Sequence, residues 1–341
     1  MSKLIEIIQD VSNVQIHNNM LFVTSQKMMR IISLDTIKEV SRFDFQLYPR
    51  ILTINNNTLL IIEGSSFYSI DTYRMIKEKT FDLELDNIWN IHHIVANKVL
   101  LKQSNGDQNN QFKLLRYDLE TKEIIWKADC DRYGFYVNDK THHIIFGKNT
   151  KSIHVYHINT GEVIWTFNLS SVLYELEDST RLKITSYPFL KGDLLILRIN
   201  AKNEVYHIGL SISNKRVLWK IKGHANTALF QKNLFSISFH GDYFLIDAFS
   251  GKIIESVNLK SDFKKWDVNC ENQFLVTDKY IYFKYGVKGK VGILNRETLS
   301  IQNVIQLPDN NTISSGEVPI IENNRLYIRS SPQNNLFIYE N

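Results

Sequence analysis

The chain holds ten histidines, and three groupings of them are the first places to look for metal or acid–base chemistry. These are His92–His93, His142–His143, and the near pair His154 and His157. A β-strand sends successive side chains to opposite faces, so adjacent histidines cannot converge on one ion. His154 and His157, three apart, also face opposite ways. None is spaced with cysteine or acidic partners as a zinc site requires. No metal is expected, with a site gathered from several separate strand units as the open alternative. Glu175, Glu177 and Asp178 lie together in SSVLYELEDSTRLKITSYP. Paired carboxylates do acid–base work when they face each other across a cleft, but three acids flanked by Ser and Thr read as a solvated loop. There is no Gly-x-Ser-x-Gly elbow and no glycine-rich phosphate loop opening a helix. No catalytic residue and no cofactor is therefore expected.

Composition narrows the partners. The net charge of +4, from 40 Lys and Arg against 36 Asp and Glu, is small for 341 residues. The lysines are scattered among acids rather than gathered into the stripe that nucleic-acid binding needs, and the pair Lys264–Lys265 reads as a solvated loop. Cys130 and Cys270 are far apart, which argues against a disulfide framework and suits a reducing compartment. The start, MSKLIEIIQDVSN, lacks the apolar core and cleavage site of a secretory signal, and no apolar run is long enough to span a bilayer. The expectation is a cytoplasmic, monomeric protein with neither membrane nor nucleic acid as partner.

The elements that must position these residues are strands. Aromatic residues make up 12% of the chain, and such side chains favour pleated, half-buried surfaces. His143–Leu169, HIIFGKNTKSIHVYHINTGEVIWTFNL, sets a template: strand, polar turn, strand, tight Asn-Thr-Gly turn, strand. The pattern recurs from Leu21, Leu59, Val99, Leu194, Leu234 and Tyr280, with Thr36, Thr72, Thr121, Thr160, Asn214, Ser250 and Thr298 at the turn. Each unit follows a further short apolar segment, such as PRILTINN from Pro49. Four strands at a spacing of roughly 40 to 45 residues are the signature of a propeller blade. A sandwich does not need so regular a repeat, and a solenoid uses shorter coils. The last unit, RLYIRSSPQNNLFIYEN, lacks an outer strand, whereas residues 1–9 contain a spare apolar one, KLIEII. Pairing them would remove an exposed sheet edge. The expected fold is all-β: residues 1–341 as a single closed β-propeller of about eight four-stranded blades, the last completed by the N-terminal strand. Seven stays open if one weak unit is miscounted.

The turn-and-tryptophan element NTGEVIW (Asn159–Trp165), with ETKEIIW (Glu120–Trp126), NKRVLW (Asn214–Trp219) and the degenerate SGKIIE (Ser250–Glu255), resembles the tryptophan-docking repeat of quinoprotein-like (PQQ-like) propellers. The resemblance runs over nearly the whole chain. It implies that Trp126, Trp165 and Trp219 are structural and tie neighbouring blades together. Enzymes of that family hold a quinone and calcium beside two adjacent cysteines, and this chain has no such pair. The resemblance thus points to the non-catalytic, scaffold branch. Gly223–His224 is similar to the Gly-His of WD repeats, but no Trp-Asp follows and it reads as an ordinary turn.

In a propeller, the blade-to-blade connection and the turn between the two middle strands emerge on one face. The long connections fall mostly there: ELDNIWNIHH, SNGDQNNQ, SSVLYELEDST, KSDFKKWDVNCEN and PDNNTISSGE. Extra length on one face marks a binding surface. Trp89, Tyr133, Tyr174 and Trp266, with Tyr48 in a shorter loop, supply aromatic anchors; Glu175, Asp178, Lys264 and Lys265 supply a polar rim. The function expected is a non-catalytic module binding a protein through this face, as an assembly scaffold or an immunity-type inhibitor of a toxin. The alternative is an enzyme, or a small-ligand or carbohydrate binder, using the central channel.

Overall fold

In the computed structural model, the described residues are 2–340 except 56, 83–87, 96–97, 105–111, 131–134, 139–142, 149–151, 169–182, 185–188, 202–203, 225, 272–273 and 314–316. Their strands form eight antiparallel sheets. Seven run in chain order over 13–44, 49–82, 88–130, 135–168, 183–223, 226–258 and 275–306, each with four consecutive strands side by side and, in the fifth, one short extra strand. The eighth, over 312–340, takes the N-terminal strand Lys3–Ile8 as its outer member, paired antiparallel with Leu336–Glu340 from Lys3↔Glu340 to Ile8↔Leu336.

The chain divides into two compact units. One comprises 1–82, 225–245 and 254–341; the other comprises 83–224 and 246–253. In the first, successive sheets pack face to face. Phe235 and Tyr243 of the sixth sheet share a cluster with Ile281 and Phe283 of the seventh. Tyr282 and Val291 meet Leu326 and Phe337 of the eighth, whose Tyr327 and Ile338 meet Leu21 and Val23 of the first. Phe22 and Ile31 then meet Leu59 and Ile61 of the second. In the other unit the third sheet packs on the fourth through Leu114, Trp126 and Tyr156, and the fourth on the fifth through Val155, Leu197 and Ile208. Strands buried on both faces read as near-continuous apolar runs, which is why LFV, LLII and LLIL carry little alternation.

The turn between third and fourth strands is built the same way seven times. Its first residue is Ser33, Asp71, Asp118, His157, Ser211, Asp247 or Asn295, and the residue four later is left-handed: Ile37, Met75, Lys122, Gly161, Lys215, Gly251 or Leu299. The amides of Ile37, Met75, Gly161 and Gly251 donate to the carbonyls of Ser33, Asp71, His157 and Asp247 at 2.8–2.9 Å, whereas that of Lys215 donates to Ile212 at 3.3 Å. Where the first residue is acidic, its carboxylate caps the turn: Asp71 Oδ1 accepts from the Tyr73 and Arg74 amides, and Asp118 Oδ1 from those of Glu120 and Thr121. These amides hold both carboxyls below their ordinary range. The geometry corrects one assignment in the repeat. The residue equivalent to Thr36 and Thr121 in the second sheet is Arg74, not Thr72.

The left-handed position explains the tryptophans. The Trp126 indole N–H donates to the Ile158 carbonyl at 2.8 Å, and that of Trp219 to Ala248 at 2.9 Å. Each ring lies on the glycine of the turn it meets. A Cβ added at Gly161 would stand 2.6 Å from Trp126 Cγ, and one at Gly251 2.6 Å from Trp219 Cγ. Trp165 is half-buried against the cluster containing Ile212, and in the fifth sheet Lys215 stands where the turns under Trp126 and Trp219 have glycine. Ile37, Met75 and Leu299 place apolar side chains of their own against neighbouring clusters instead. At the Gly161 and Gly251 turns the space between sheets is filled by a preceding Trp over the glycine, and at the Ile37, Met75 and Leu299 turns by the left-handed residue itself, whereas Lys122 and Lys215 are exposed.

Candidate functional face

The opposite end of the sheets carries the sheet-to-sheet connections and the turns between second and third strands. One part of it surrounds the connection from the sixth to the seventh sheet. The sequence reads this segment as a loop, and the structure corrects that: Lys260–Lys265 is a short helix, α1. Phe263 is its one buried residue and stacks on Phe283 at 4.9 Å between centroids and 9° between planes. Gly241, at φ 97°, lets the preceding turn pass under that ring; a Cβ there would meet Phe263 Cγ at 3.0 Å. The Leu259 amide donates to the Gly241 carbonyl, that of Cys270 to Phe239, and that of Glu271 to Lys284, at 2.8, 3.1 and 2.9 Å. Asn226 Nδ2 donates to the Cys270 carbonyl at 2.6 Å. Leu259, Val268, Cys270 and Phe274 all enter the core between the two sheets. The connection is therefore a pinned cap, and what it displays outward is held by a rigid support.

What it displays is apolar and cationic. Trp266, at the end of α1, is 36% exposed; Phe239 is 42% exposed and Val287 68%. Phe239 meets the Tyr285 ring edge-on at 6.2 Å and the His240 ring at 4.9 Å. Lys264 and Lys265 are exposed at the last turn of α1. Asp267 is clamped by Lys288 and Lys290, each with a contact of 2.8 Å. Those two ammonium groups hold its carboxyl down to about 2. A cavity of about 450 Å³ opens here, lined by His240, Lys260, Phe263, Lys264, Asp267, Val268 and Asn269.

The residues singled out from the sequence distribute unevenly. Lys264, Lys265 and Trp266 fall together on this cap. Tyr48 is 46% exposed beside Leu47, 56% exposed, in the connection from the first to the second sheet. There the Leu47 amide donates to Glu63 Oε1 at 2.5 Å. Trp89 is not in a loop: it belongs to the strand Ile88–Val95, because the β-branched run Ile88, Ile91, Ile94 and Val95 pairs with Lys98–Ser104. Tyr133, Tyr174, Glu175 and Asp178 lie outside the described residues. Phe239, His240, Tyr285, Val287 and Asp267 were not singled out. Their signal was an apolar residue beside a turn glycine, in FHG (239–241) and YGVKG (285–289).

The chemistry-bearing groups elsewhere are engaged in structure. His154 bonds with Ser152 Oγ and Thr166 Oγ1 at 3.1 Å each, and His157 with Thr160 Oγ1 at 3.3 Å. His207 Nε2 contacts the His224 carbonyl at 3.0 Å, and burial pushes its imidazole down to about 4. Lys284 is fully buried, and its Nζ donates to the Glu317 carbonyl. Burial lowers its ammonium to about 8. Among the described residues no three His, Cys, Asp or Glu side chains gather as metal ligands, and no helix is long and apolar enough to cross a membrane.

No protein-family model and no curated protein matches the chain. Solved structures do. The crystal structure of BamB from Moraxella catarrhalis matches at a TM-score of 0.65 and 13% identity, over 100% of both chains. Saccharomyces cerevisiae Sqt1 matches at 0.65 and 10%, over 100% of this chain and 99% of that one. A europium-containing methanol dehydrogenase matches at 0.66 and 9%, over 100% and 93%. At such identities the likeness shows the fold: the chain is a β-propeller, with PQQ-like propellers among its structural neighbours. One neighbour is named as an enzyme, so the fold leaves activity undecided.

Proposed function

We propose that the chain is a non-catalytic protein-binding propeller, and that its partner docks on the loop-bearing end around α1. One observation carries this reading. Phe239, Trp266 and Val287 are held exposed on a cap whose backbone is tied to two sheets by hydrogen bonds and a buried ring. Exposing large apolar groups on a rigid support costs solubility and gains nothing for the core, so a partner that covers them is the physical reason to keep them. Lysines around them form the polar rim such a site uses. The role takes one of two forms: holding a partner in an assembly, or covering a toxin's active site as an immunity-type inhibitor.

The test is affinity capture of the native partner from the source cells, followed by competition with purified variants. Phe239→Ala combined with Trp266→Ala is expected to lose the partner. Tyr73→Ala combined with Phe249→Ala, at the turn end, is expected to keep it. Retention by the first variant would overturn the reading.

A further inference from the structure

Resting on that reading, we propose that the segment docking beside α1 is acidic and carries a large apolar side chain, which enters the cavity between α1 and the Phe239–Gly241 turn.

Charge complementarity is the first ground. Asp267, which lines this cavity, and the nearby Asp242 and Glu271 on the packed elements are engaged. Asp242 pairs with Lys260 at 3.0 Å and accepts from Ser238 Oγ at 3.1 Å. Asp267 accepts from both Lys288 and Lys290. Glu271 Oε2 accepts the Gly286 amide at 2.8 Å. Lys264 and Lys265, in contrast, make no ion pair among the described residues. α1 holds one acid, Asp262 in its first turn, against Lys260, Lys264 and Lys265. Two lysines on one Asp267, and two more unpaired beside it, leave a local cationic excess that a docking carboxylate would neutralise.

Shape is the second ground. The 450 Å³ cavity is floored by Phe263 and Val268 and rimmed by His240, Lys260, Lys264, Asp267 and Asn269. That is a concavity for a protruding side chain. Exposed Phe239 flanks it on the neighbouring turn, whose carbonyl holds the Cys270 amide. Aromatic groups with lysines also suit an anionic lipid surface. A flat membrane, however, would leave the cavity unfilled and press against Asp267, whose side chain is 61% exposed.

The experiment is selection of a displayed random dodecapeptide library on the intact protein. Enriched peptides are then measured against the wild type, Lys264→Glu/Lys265→Glu, and Phe239→Ala/Trp266→Ala, alongside vesicles of phosphatidylcholine with and without phosphatidylserine. The expected result is peptides of net negative charge with at least one large apolar residue. The charge-reversed variant should bind them about tenfold or more weakly. The aromatic double variant should bind them weakly too, and vesicle binding should be absent. Peptides that lose affinity for the aromatic variant but are neutral or basic, or that ignore charge reversal, would overturn the acidic partner while leaving the docking face standing. Peptides indifferent to both variants would overturn the face as well. Enrichment of no peptide, or binding to phosphatidylserine vesicles that charge reversal abolishes, would sink the proposal in favour of no peptide partner or of a lipid one.

Discussion

The two ends of the same sheets are built on opposite principles. At the turn end, seven junctions repeat one backbone form, a left-handed residue four places after the first, and at Ile37, Met75, Gly161 and Gly251 its amide returns to the first residue's carbonyl. At the other end, the connection through α1, the Phe239–Gly241 turn and the Gly286–Lys288 turn share no template. Backbone bonds tie the first two, and Glu271 and Asp267 tie the third to the connection, while Phe239, Trp266 and Val287 stay exposed. The turn end also exposes Tyr73 with Ile76, and Phe249 with Ile253 and Ile254, on turns that repeat one backbone form. Repetition at one end is what stacking requires of every junction. Its absence at the other is what a surface specific to one partner would require.

Substitutions that separate stacking from binding sharpen this contrast. The largest effect should come from Trp126→Ala or Trp219→Ala. Each removes a nearly buried ring and its hydrogen bond to the next turn. A loss of about 3–5 kcal/mol is expected in urea unfolding, with binding by the remaining folded protein unchanged. A loss below about 1 kcal/mol would show that the docking is not what ties these sheets.

Acid should come next. His207 is buried and neutral, with its folded imidazole at about 4 against an ordinary 6.5. The unfolded chain therefore binds more protons between those values, so stability rises with pH across that window and is lost as pH falls from 6.5 through about 4. The contribution is on the order of 3 kcal/mol. His207→Phe should flatten this part of the stability–pH curve; an unchanged slope would assign the acid sensitivity to other groups.

The smallest change concerns the exceptional junction. Lys215 is left-handed at φ 51°, where Gly161 and Gly251 seat Trp126 and Trp219, and Trp165 is only half-buried. Lys215→Gly should relieve the backbone and let the ring settle, raising stability by about 1 kcal/mol. A loss of stability would mean that Trp165 is already packed as well as its counterparts.

Much of the stacking end was legible in the sequence, because its determinants are local. A small polar residue, a left-handed residue and a strand recur at fixed spacing. Even the fifth-sheet exception is written as a lysine where its neighbours have glycine. The one slip there, Thr72 for Arg74, arose because Thr72 is the small polar residue directly after Asp71 and Arg74 is not small; the Asp71 carboxylate contacts decide which is equivalent. The loop-bearing end was legible in kind but not in detail. KSDFKK is too short to show a helical period, and its single apolar residue, Phe263, gives no face; α1 forms because Phe263 is captured by Phe283, far along the chain. Trp89 was read as a loop residue because Asn87 and Asn90 bracket it, whereas pairing with Lys98–Ser104 makes it part of a strand. Phe239 and Val287 sit in short turns outside the long connections, and their exposure follows from how those turns meet the connection through α1.

The most direct test of the docking face is hydrogen–deuterium exchange of the protein with and without its native partner. Slowed exchange confined to 239–241, 259–271 and 285–290, with the turns at 71–75, 118–122 and 247–251 unchanged, is the expected result. Protection at those turns, with the α1 region exchanging as in the free protein, would contradict it.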